Sequence, residues 1–236
     1  MYVKVLFDEK AKKGLDSGHG FSCLIGGKIL VDAGEDPTML MNNMKRLMVS
    51  AEDLDGVIIT HEHYDHTGGL WELLKQKKGL KVYVSDTFSD TFKDCVKELG
   101  GKLVYVKKRR KVNDEVFVTS PITTRYKDKD VAECSVMIKG DKGISAITGC
   151  AHSGVLDIVK YVKRSMKTDN IYMVFGGFHL KDLNREQVTD IAVKLKKAGV
   201  KKIGPSHCSG EKAKRVLKGQ FHDKYVPVKA GHIIHL

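Results

Sequence analysis

Apolar runs and amphipathic stretches alternate along the chain, and their spacing predicts an α/β protein. Apolar runs bounded by glycine or charged residues are typical of strands, whereas apolar residues at helical spacing are typical of helices. The predicted strands cover residues 3–7, 21–25, 29–31, 57–60, 81–84, 103–106, 143–147, 171–175, 200–203 and 232–236. The predicted helices cover residues 38–49, 70–74, 88–99, 155–165 and 185–198. Strands that alternate with helices in this order indicate an α/β fold.

Three of these helices carry signals at their ends. The helix over 88–99 is followed by Gly100 and Gly101, and the helix over 185–198 follows Asn184, which with Gln187 resembles a capped start. The helix over 38–49 follows a proline and has apolar residues at helical spacing, which we expect to pack in the core. These residues are Met39, Leu40, Met44, Leu47 and Met48.

The length of the chain is sufficient for one sizeable core. It has 236 residues, of which 42% are hydrophobic, and only four prolines. No Ser-rich or Gly-rich stretch marks a linker between domains. We therefore predict a single domain over residues 1–236.

Three histidines and an aspartate crowd one short turn after the strand predicted over 57–60. They are His61, His63, Asp65 and His66, and Thr67-Gly68-Gly69 follows them. Neutral imidazole and carboxylate are ligands for borderline divalent metals, and a strand that stops abruptly presents such side chains together. The pattern therefore predicts a metal site, which needs further ligands from elsewhere in the chain.

Three more histidines stand where predicted strands end. His152 follows the strand predicted over 143–147, and His207 follows Gly204-Pro205-Ser206. Between them, His179 closes the apolar run that begins at residue 171. Four strand ends thus deliver histidine, which makes all of these residues candidates for a shared centre.

With these strand-end histidines, the chain resembles the metallo-β-lactamase superfamily over nearly its whole length. The resemblance implies a four-layer αββα sandwich, in which two mixed β-sheets are flanked by helices, with two divalent metal ions at one edge. It further implies that His61, His63 and His152 bind the first ion, and that Asp65, His66 and His207 bind the second. In Ile29-Leu30-Val31-Asp32-Ala33-Gly34 it makes Asp32 the residue that orients a ligand histidine from behind; Asp32 as a simple turn residue is the alternative.

His179 departs from the pattern of that superfamily. Most hydrolytic members have an aspartate there that bridges both metals, and a neutral imidazole cannot bridge two cations in that way. Either the second ion is held more weakly or His179 faces the substrate, and we favour the substrate. In this interpretation His179 acts as a hydrogen-bond donor or general acid, and Asp65 orients the attacking water.

Three segments are similar to a narrower subgroup of the superfamily. They are Thr148-Gly149-Cys150-Ala151-His152-Ser153-Gly154, Gly176-Gly177-Phe178-His179-Leu180 and Pro205-Ser206-His207-Cys208-Ser209-Gly210. Members of this subgroup are named metal-dependent hydrolases and also 7,8-dihydropterin-6-methyl-4-(β-D-ribofuranosyl)aminobenzene 5'-phosphate synthases. The subgroup has a His-Gly pair near its site, so the resemblance makes His19 a candidate contact to substrate.

The charge of the chain indicates an anionic small-molecule substrate. It has 41 basic and 29 acidic side chains and a formal net charge of +12. The densest basic run covers residues 107–111, although a solvated loop is the simpler explanation for it. No zinc-finger spacing or ribonucleoprotein motif points to nucleic acid, and no apolar run is long enough for a membrane span.

The cysteines indicate a reducing compartment. The chain has five, an odd count without paired spacing, so we expect free thiols and a soluble cytoplasmic protein. Cys150 and Cys208 flank predicted ligands, and we favour buried strand-end thiols over metal contact for both.

Three functions are compatible with these residues. We favour a dinuclear metal-dependent hydrolase that activates water toward an anionic phosphoester, with zinc first and manganese or iron as alternatives. The second is a transferase like the pterin synthase of the subgroup, and the third is a metal-binding or sensing protein without turnover.

Overall fold

The computed structural model describes residues 1–236, which form two compact units. The first unit comprises residues 1–107 and 229–235, and the second comprises residues 108–228 together with Leu236. The single domain predicted from the sequence stays a prediction.

The chain contains fifteen strands and seven α-helices. The strands are β1 (Tyr2–Phe7), β2 (Ser22–Ile25), β3 (Ile29–Val31), β4 (Gly56–Ile58), β5 (Lys81–Ser85), β6 (Lys102–Val106), β7 (Arg110–Lys111), β8 (Val116–Val118), β9 (Ile122–Tyr126), β10 (Lys129–Glu133), β11 (Val136–Gly140), β12 (Gly143–Thr148), β13 (Ile171–Gly177), β14 (Lys202–Ser206) and β15 (Ile233–His235). The helices are α1 (Pro37–Arg46), α2 (Tyr64–Thr67), α3 (Leu70–Gln76), α4 (Asp90–Glu98), α5 (Val155–Met166), α6 (Arg185–Lys197) and α7 (Glu211–Phe221).

The first unit is built on a seven-stranded mixed sheet in the order β15-β1-β2-β3-β4-β5-β6. Its strands from β15 to β3 pair antiparallel, and those from β3 to β6 pair parallel. Helices α1, α3 and α4 bury their apolar faces against this sheet, through residues such as Leu40, Leu73 and Phe92. Parallel pairing places the ends of β3 and β4 at the same edge.

The second unit is built on a six-stranded mixed sheet in the order β14-β13-β12-β11-β8-β7. Strands β12, β13 and β14 are parallel and β11 is antiparallel to β12. Helices α5, α6 and α7 cover an apolar core that includes Val159, Ala192 and Leu217. Strands β9 and β10 form a separate hairpin. The predicted class, an α/β fold with two mixed sheets and flanking helices, is confirmed.

Every strand and helix predicted from the apolar pattern is present, with small differences at the ends. The helix predicted over 38–49 ends at Arg46, and Met48 lies beyond it with a φ of 54°. Met48 is 92% exposed, so its predicted place in the core is wrong. The helix predicted over 88–99 begins at Asp90, because the Ser89 hydroxyl accepts a hydrogen bond from the Phe92 N–H and caps it.

Strands β7 to β11 and helix α7 were not predicted. The hairpin strand β9 alternates half-buried and exposed residues, and helix α7 has several charged residues. The polar residues of β9 weaken its strand signal, whereas α7 buries Ala213, Leu217 and Phe221 at helical spacing, a pattern that the sequence analysis did not use. None of the helices has the length and apolar character needed to span a bilayer.

Candidate functional site

The predicted site residues stand where parallel strands end within each unit. In the first unit Asp32 directly follows β3, and His61 is the third residue after β4. In the second unit His152, His179 and His207 follow β12, β13 and β14. Since carboxyl ends of neighbouring parallel strands share an edge, each unit gathers its candidates at one edge of its own sheet.

Four residues at these strand ends have left-handed backbone conformations. The φ angles are 54° at Asp32, 59° at Ala151, 51° at His179 and 40° at His207. A non-glycine residue in this region costs about 1–3 kcal/mol and persists only where the surrounding structure holds it. Such strain after β3, β12, β13 and β14 makes these loops candidates for a functional site.

In the first unit the histidine-rich turn forms a compact group of ligand side chains, His61, His63, Asp65 and His66, which we call the first cluster. The His61 ring centroid lies 4.6 Å from that of His63 and 4.2 Å from that of His66. The Nε2 of His66 is 3.4 Å from the Oδ2 of Asp65. His61, Asp65 and His66 are buried, so these polar atoms converge in a largely dry setting.

Asp32 anchors the first cluster from beneath. Its carboxylate lies 2.7 Å from Nδ1 of His66, and it accepts hydrogen bonds from the backbone N–H and hydroxyl of Thr60, at 2.7 and 2.8 Å. The Thr60 hydroxyl is also 3.0 Å from Nδ1 of His61. A carboxylate that occupies Nδ1 fixes the ring and leaves Nε2 as the coordinating nitrogen. Asp32 thus contacts His66, one of the predicted ligands, and its role in orienting that ring stays a prediction.

The same contacts alter the proton affinity of His66. Burial alone lowers its pKa, but the charges and hydrogen bonds of Asp32 and Asp65 outweigh burial and raise the pKa to about 10. Burial raises the pKa of Asp32, against the opposing influence of His66 and Thr60. A cation is therefore favoured beside these carboxylates, whether it is a proton or a metal ion.

His19 lies at the edge of the first cluster. Its Nε2 is 3.5 Å from Oδ2 of Asp65 and its Nδ1 is 3.4 Å from Oε1 of Glu9, while 44% of the side chain is exposed. The following residue, Gly20, has a φ of 118°, and a Cβ there would lie 2.0 Å from the Asp65 carbonyl oxygen. Only glycine allows this approach, which brings His19 close to Asp65.

Glu62 lies within the histidine-rich turn, but its carboxylate contacts the residue before helix α4. Its carboxylate accepts hydrogen bonds from the backbone N–H of Ser89, at 2.6 Å, and from the Ser89 hydroxyl. Ser89 in turn caps helix α4. Glu62 therefore ties the turn to the start of a helix.

In the second unit Glu133 holds the loop that carries His152. It accepts hydrogen bonds from the backbone N–H groups of Cys150, Ala151 and His152 at 2.7 to 2.8 Å, and it lies 2.8 Å from Nδ1 of His152. Glu133 is 3% exposed. The sequence analysis missed this residue, because it ends an unpredicted hairpin strand and no local pattern distinguishes it from a surface glutamate.

The His179 ring lies beside two other rings of the second unit, with its centroid 4.8 Å from that of His152 and 5.0 Å from that of Tyr126. His207 is fully buried in a 3-10 turn over His207–Ser209. Burial disfavours the thiolate of Cys208, but hydrogen bonds with Cys150 and His179 and the charge of nearby His207 hold its pKa well below the usual value. The surroundings of Cys208 therefore favour a negatively charged sulphur.

The donor set fits divalent metal ions. Imidazole and carboxylate suit zinc, manganese and iron, and a carboxylate fixes Nδ1 of one candidate histidine in each unit. The basic run at 107–111 is a different case. Lys107 pairs with Asp86 and Lys111 pairs with Asp114, so two of its five charges face a carboxylate, while Arg109 donates to the Ser165 carbonyl.

This chain is similar to a family model, to two curated proteins and to a solved structure. The family model of the metallo-β-lactamase superfamily matches residues 18–131. An uncharacterised protein of Methanocaldococcus jannaschii is 30% identical, and the match covers 89% of this chain and 91% of the relative. A 7,8-dihydropterin-6-methyl-4-(beta-D-ribofuranosyl)-aminobenzene-5'-phosphate synthase of the same organism is 28% identical over 92% of this chain and 90% of that protein.

A solved structure with similar fold is described as a metal-dependent hydrolase of the β-lactamase superfamily. It is 24% identical, with a TM-score of 0.82, and the match covers 100% of this chain and 99% of that one. At this identity the likeness concerns the fold.

Proposed function

The chain belongs to the metallo-β-lactamase superfamily, and from that premise we propose that it is a metal-dependent hydrolase of an anionic, phosphoester-type small molecule. The observation that carries the proposal is the first cluster, in which three imidazoles and a carboxylate converge above a buried aspartate that fixes one ring. A purely structural turn has no need of so many convergent, desolvated donors.

We propose that the chain holds two divalent ions with the ligand sets that the resemblance implies. His61, His63 and His152 would hold the first ion, and Asp65, His66 and His207 would hold the second. Zinc is the first choice of metal, and manganese and iron are alternatives that the same donors accept. When bound, such ions lower the pKa of water and polarise a substrate oxygen.

The chain's own side chains would position the reactants. Asp65 lies between His19 and His66 and is suited to accept a hydrogen bond from the attacking water and to hold its proton. His19 is partly exposed and could donate a hydrogen bond to an anionic oxygen of the substrate. His179 would contact the substrate in the same way.

An excess of basic side chains supports the anionic substrate. The net charge of +12 would raise the local concentration of phosphate or carboxylate compounds. We also propose a cytoplasmic location, because the chain has an odd number of cysteines and their spacing does not suggest disulfide pairs.

A transferase is the second candidate, and a specific observation favours it. The Methanocaldococcus jannaschii relative named as a pterin synthase matches 92% of this chain, although at 28% identity. The same metal ligands would then serve a condensation in which a diphosphate leaves. Formation of the condensed product from the pterin diphosphate and the aryl riboside phosphate, by mass spectrometry, would favour this candidate over hydrolysis.

The hydrolase is tested with metal-reloaded protein on a panel of phosphodiesters, thioesters and lactones. We expect turnover of a phosphodiester and a loss of a hundredfold or more, as an order of magnitude, in Asp65→Asn, with the fold retained by circular dichroism. Asp53→Asn is the matched control, because Asp53 is an exposed aspartate of the same unit. Inertness of a fully loaded protein across the panel would contradict hydrolysis, and unfolding of Asp65→Asn alone would favour a structural metal.

A further inference from the structure

The hairpin of strands β9 and β10 presents one of its two faces to the strand-end histidines of the second unit. Its register places Ile122 directly opposite Glu133. Residues directly opposite each other lie on the same face of a hairpin, and so do residues an even number of positions apart on one strand. Tyr126, four positions after Ile122 on β9, therefore shares a face with Glu133. On that face Glu133 contacts His152.

Tyr126 contacts two of the strand-end histidines. Its ring centroid lies 4.8 Å from that of His152, at an interplanar angle of 56°, and 5.0 Å from that of His179, at an angle of 88°. The two imidazole rings are themselves 4.8 Å apart. Separations and tilts of this size are those of attractive aromatic pairs. The three residues Tyr126, His152 and His179 therefore form one aromatic group, which we call the ring cluster.

The hairpin holds Tyr126 in the ring cluster from both of its ends. At the tip, Lys127 and Asp128 join the two strands, with φ angles of 46° and 61°. Positive φ at both central residues is typical of a type I′ turn, whose twist matches that of the flanking strands. At the other end, Glu133 accepts hydrogen bonds from three backbone N–H groups of the loop that carries His152. The hairpin and that loop are thus joined where the ring cluster forms.

Two members of the ring cluster stay partly accessible. Tyr126 and His179 are half-buried, and the Nζ of the exposed Lys127 lies 5.3 Å from the centroid of the Tyr126 ring. A tyrosine ring offers a large apolar surface and a π face, against which a second ring packs favourably. An ammonium group at the same place attracts negative charge. The accessible surface beside His179 therefore combines aromatic rings with a positive charge.

We propose that Tyr126 is a specificity-determining residue, whose ring packs against an aromatic group of the anionic substrate and selects aryl phosphoesters over alkyl phosphoesters. The inference rests on the proposed function, in which His179 contacts the substrate, and it narrows the substrate class of that same site. The sequence analysis gave Tyr126 no role, because the polar residues of β9 hide the hairpin that carries it.

The test compares phenylphosphonate with cyclohexylphosphonate as ligands of the zinc-reloaded protein. The two anions have similar size and the same charge, so the ratio of their dissociation constants reports the preference for an aromatic ring. By calorimetry, the wild type should prefer the phenyl compound by about three- to tenfold, which is the range of an aromatic pair. Tyr126→Phe should keep this preference because it keeps the ring, whereas Tyr126→Ala should reduce it below about twofold.

Two further variants control for the integrity of the hairpin. Arg125→Ala should leave the preference unchanged, because Arg125 is an exposed neighbour of Tyr126 on the opposite face of β9. Tyr126→Leu should lose the preference as the alanine variant does, although leucine keeps an apolar side chain in place and so protects the fold. A wild type that binds both phosphonates equally, a preference that survives in Tyr126→Leu, or a preference that disappears in Tyr126→Phe would each overturn the role of the ring.

These binding measurements need no turnover, so they separate this inference from the proposed function. A phenyl preference that is lost in Tyr126→Leu, in a protein that is inert across the ester panel, would support the Tyr126 contact and contradict hydrolysis. Turnover of phosphodiesters with a phenyl preference that is unchanged in Tyr126→Leu and Tyr126→Ala would overturn the contact and leave the hydrolase standing. If neither phosphonate binds the wild type, the inference is overturned whatever the turnover.

Discussion

In the first unit the buried carboxylate of Asp32 lies 2.7 Å from Nδ1 of His66, and in the second unit the buried carboxylate of Glu133 lies 2.8 Å from Nδ1 of His152. Both carboxylates fix a histidine that stands after a parallel strand. Asp32 directly follows strand β3 of the sheet, whereas Glu133 ends hairpin strand β10, outside the sheet that presents His152. The two units thus hold a histidine by the same chemistry with different scaffolds.

The two carboxylates differ in what else they hold. Asp32 takes its remaining hydrogen bonds from a single residue, Thr60, and so orients side chains. Glu133 accepts from three consecutive backbone N–H groups, including that of the strained Ala151. We infer that Asp32 chiefly sets the electrostatics of its histidine, whereas Glu133 also holds the conformation of a loop.

The largest expected effect is on stability, from Glu133→Ala. This change leaves two buried N–H groups and one partly buried N–H group without an acceptor, so the free energy of unfolding of the metal-free protein should fall by about 3–5 kcal/mol in urea denaturation. Glu115→Ala, an exposed glutamate of the same unit, should change it by less than about 0.5 kcal/mol. A loss below about 1 kcal/mol in Glu133→Ala would show that the loop keeps its conformation without the carboxylate.

A smaller effect is expected on the pH dependence of stability, through His66 of the first unit. Because the pKa of His66 is raised from 6.5 to about 10 in the folded protein, its stabilising contribution is fully present below about pH 6.5 and is lost as the pH rises through 10. Melting temperatures of the metal-free protein should fall over this range. In Asp32→Asn that fall should flatten, because the main cause of the raised pKa is gone, whereas Asp53→Asn should behave as the wild type. Parallel slopes in all three proteins would refute this account of His66.

The smallest effect distinguishes Glu62 from the ligands beside it. Glu62→Ala should lower the free energy of unfolding by about 1 kcal/mol, because it loses only the contact with Ser89, and should leave zinc affinity nearly unchanged by calorimetry. Ser89→Ala is the matched partner, and the double variant should lose less than the sum of the two single changes. A large loss of zinc affinity in Glu62→Ala would instead make Glu62 part of the metal site.

Much of the fold could be predicted from local sequence. The strands around β3, β4 and β13 are short apolar runs with clear boundaries, and α6 has a capping box at Asn184. The hairpin of β9 and β10 has no such run, because it is not buried on a continuous face. Met48 shows the same limit, since an apolar residue at helical spacing says nothing about whether the helix has already ended.

The sequence alone determined which side chains are available and that they stand at strand ends, because strand periodicity, turns and the order of His61, His63, Asp65 and His66 are local properties. Tertiary structure decided which carboxylate contacts which imidazole ring. It also decided that Glu62 accepts hydrogen bonds from Ser89 and that Cys208 contacts Cys150. Those contacts join residues 19 to 58 positions apart, and chain folding, rather than local preference, sets which distant residues become neighbours.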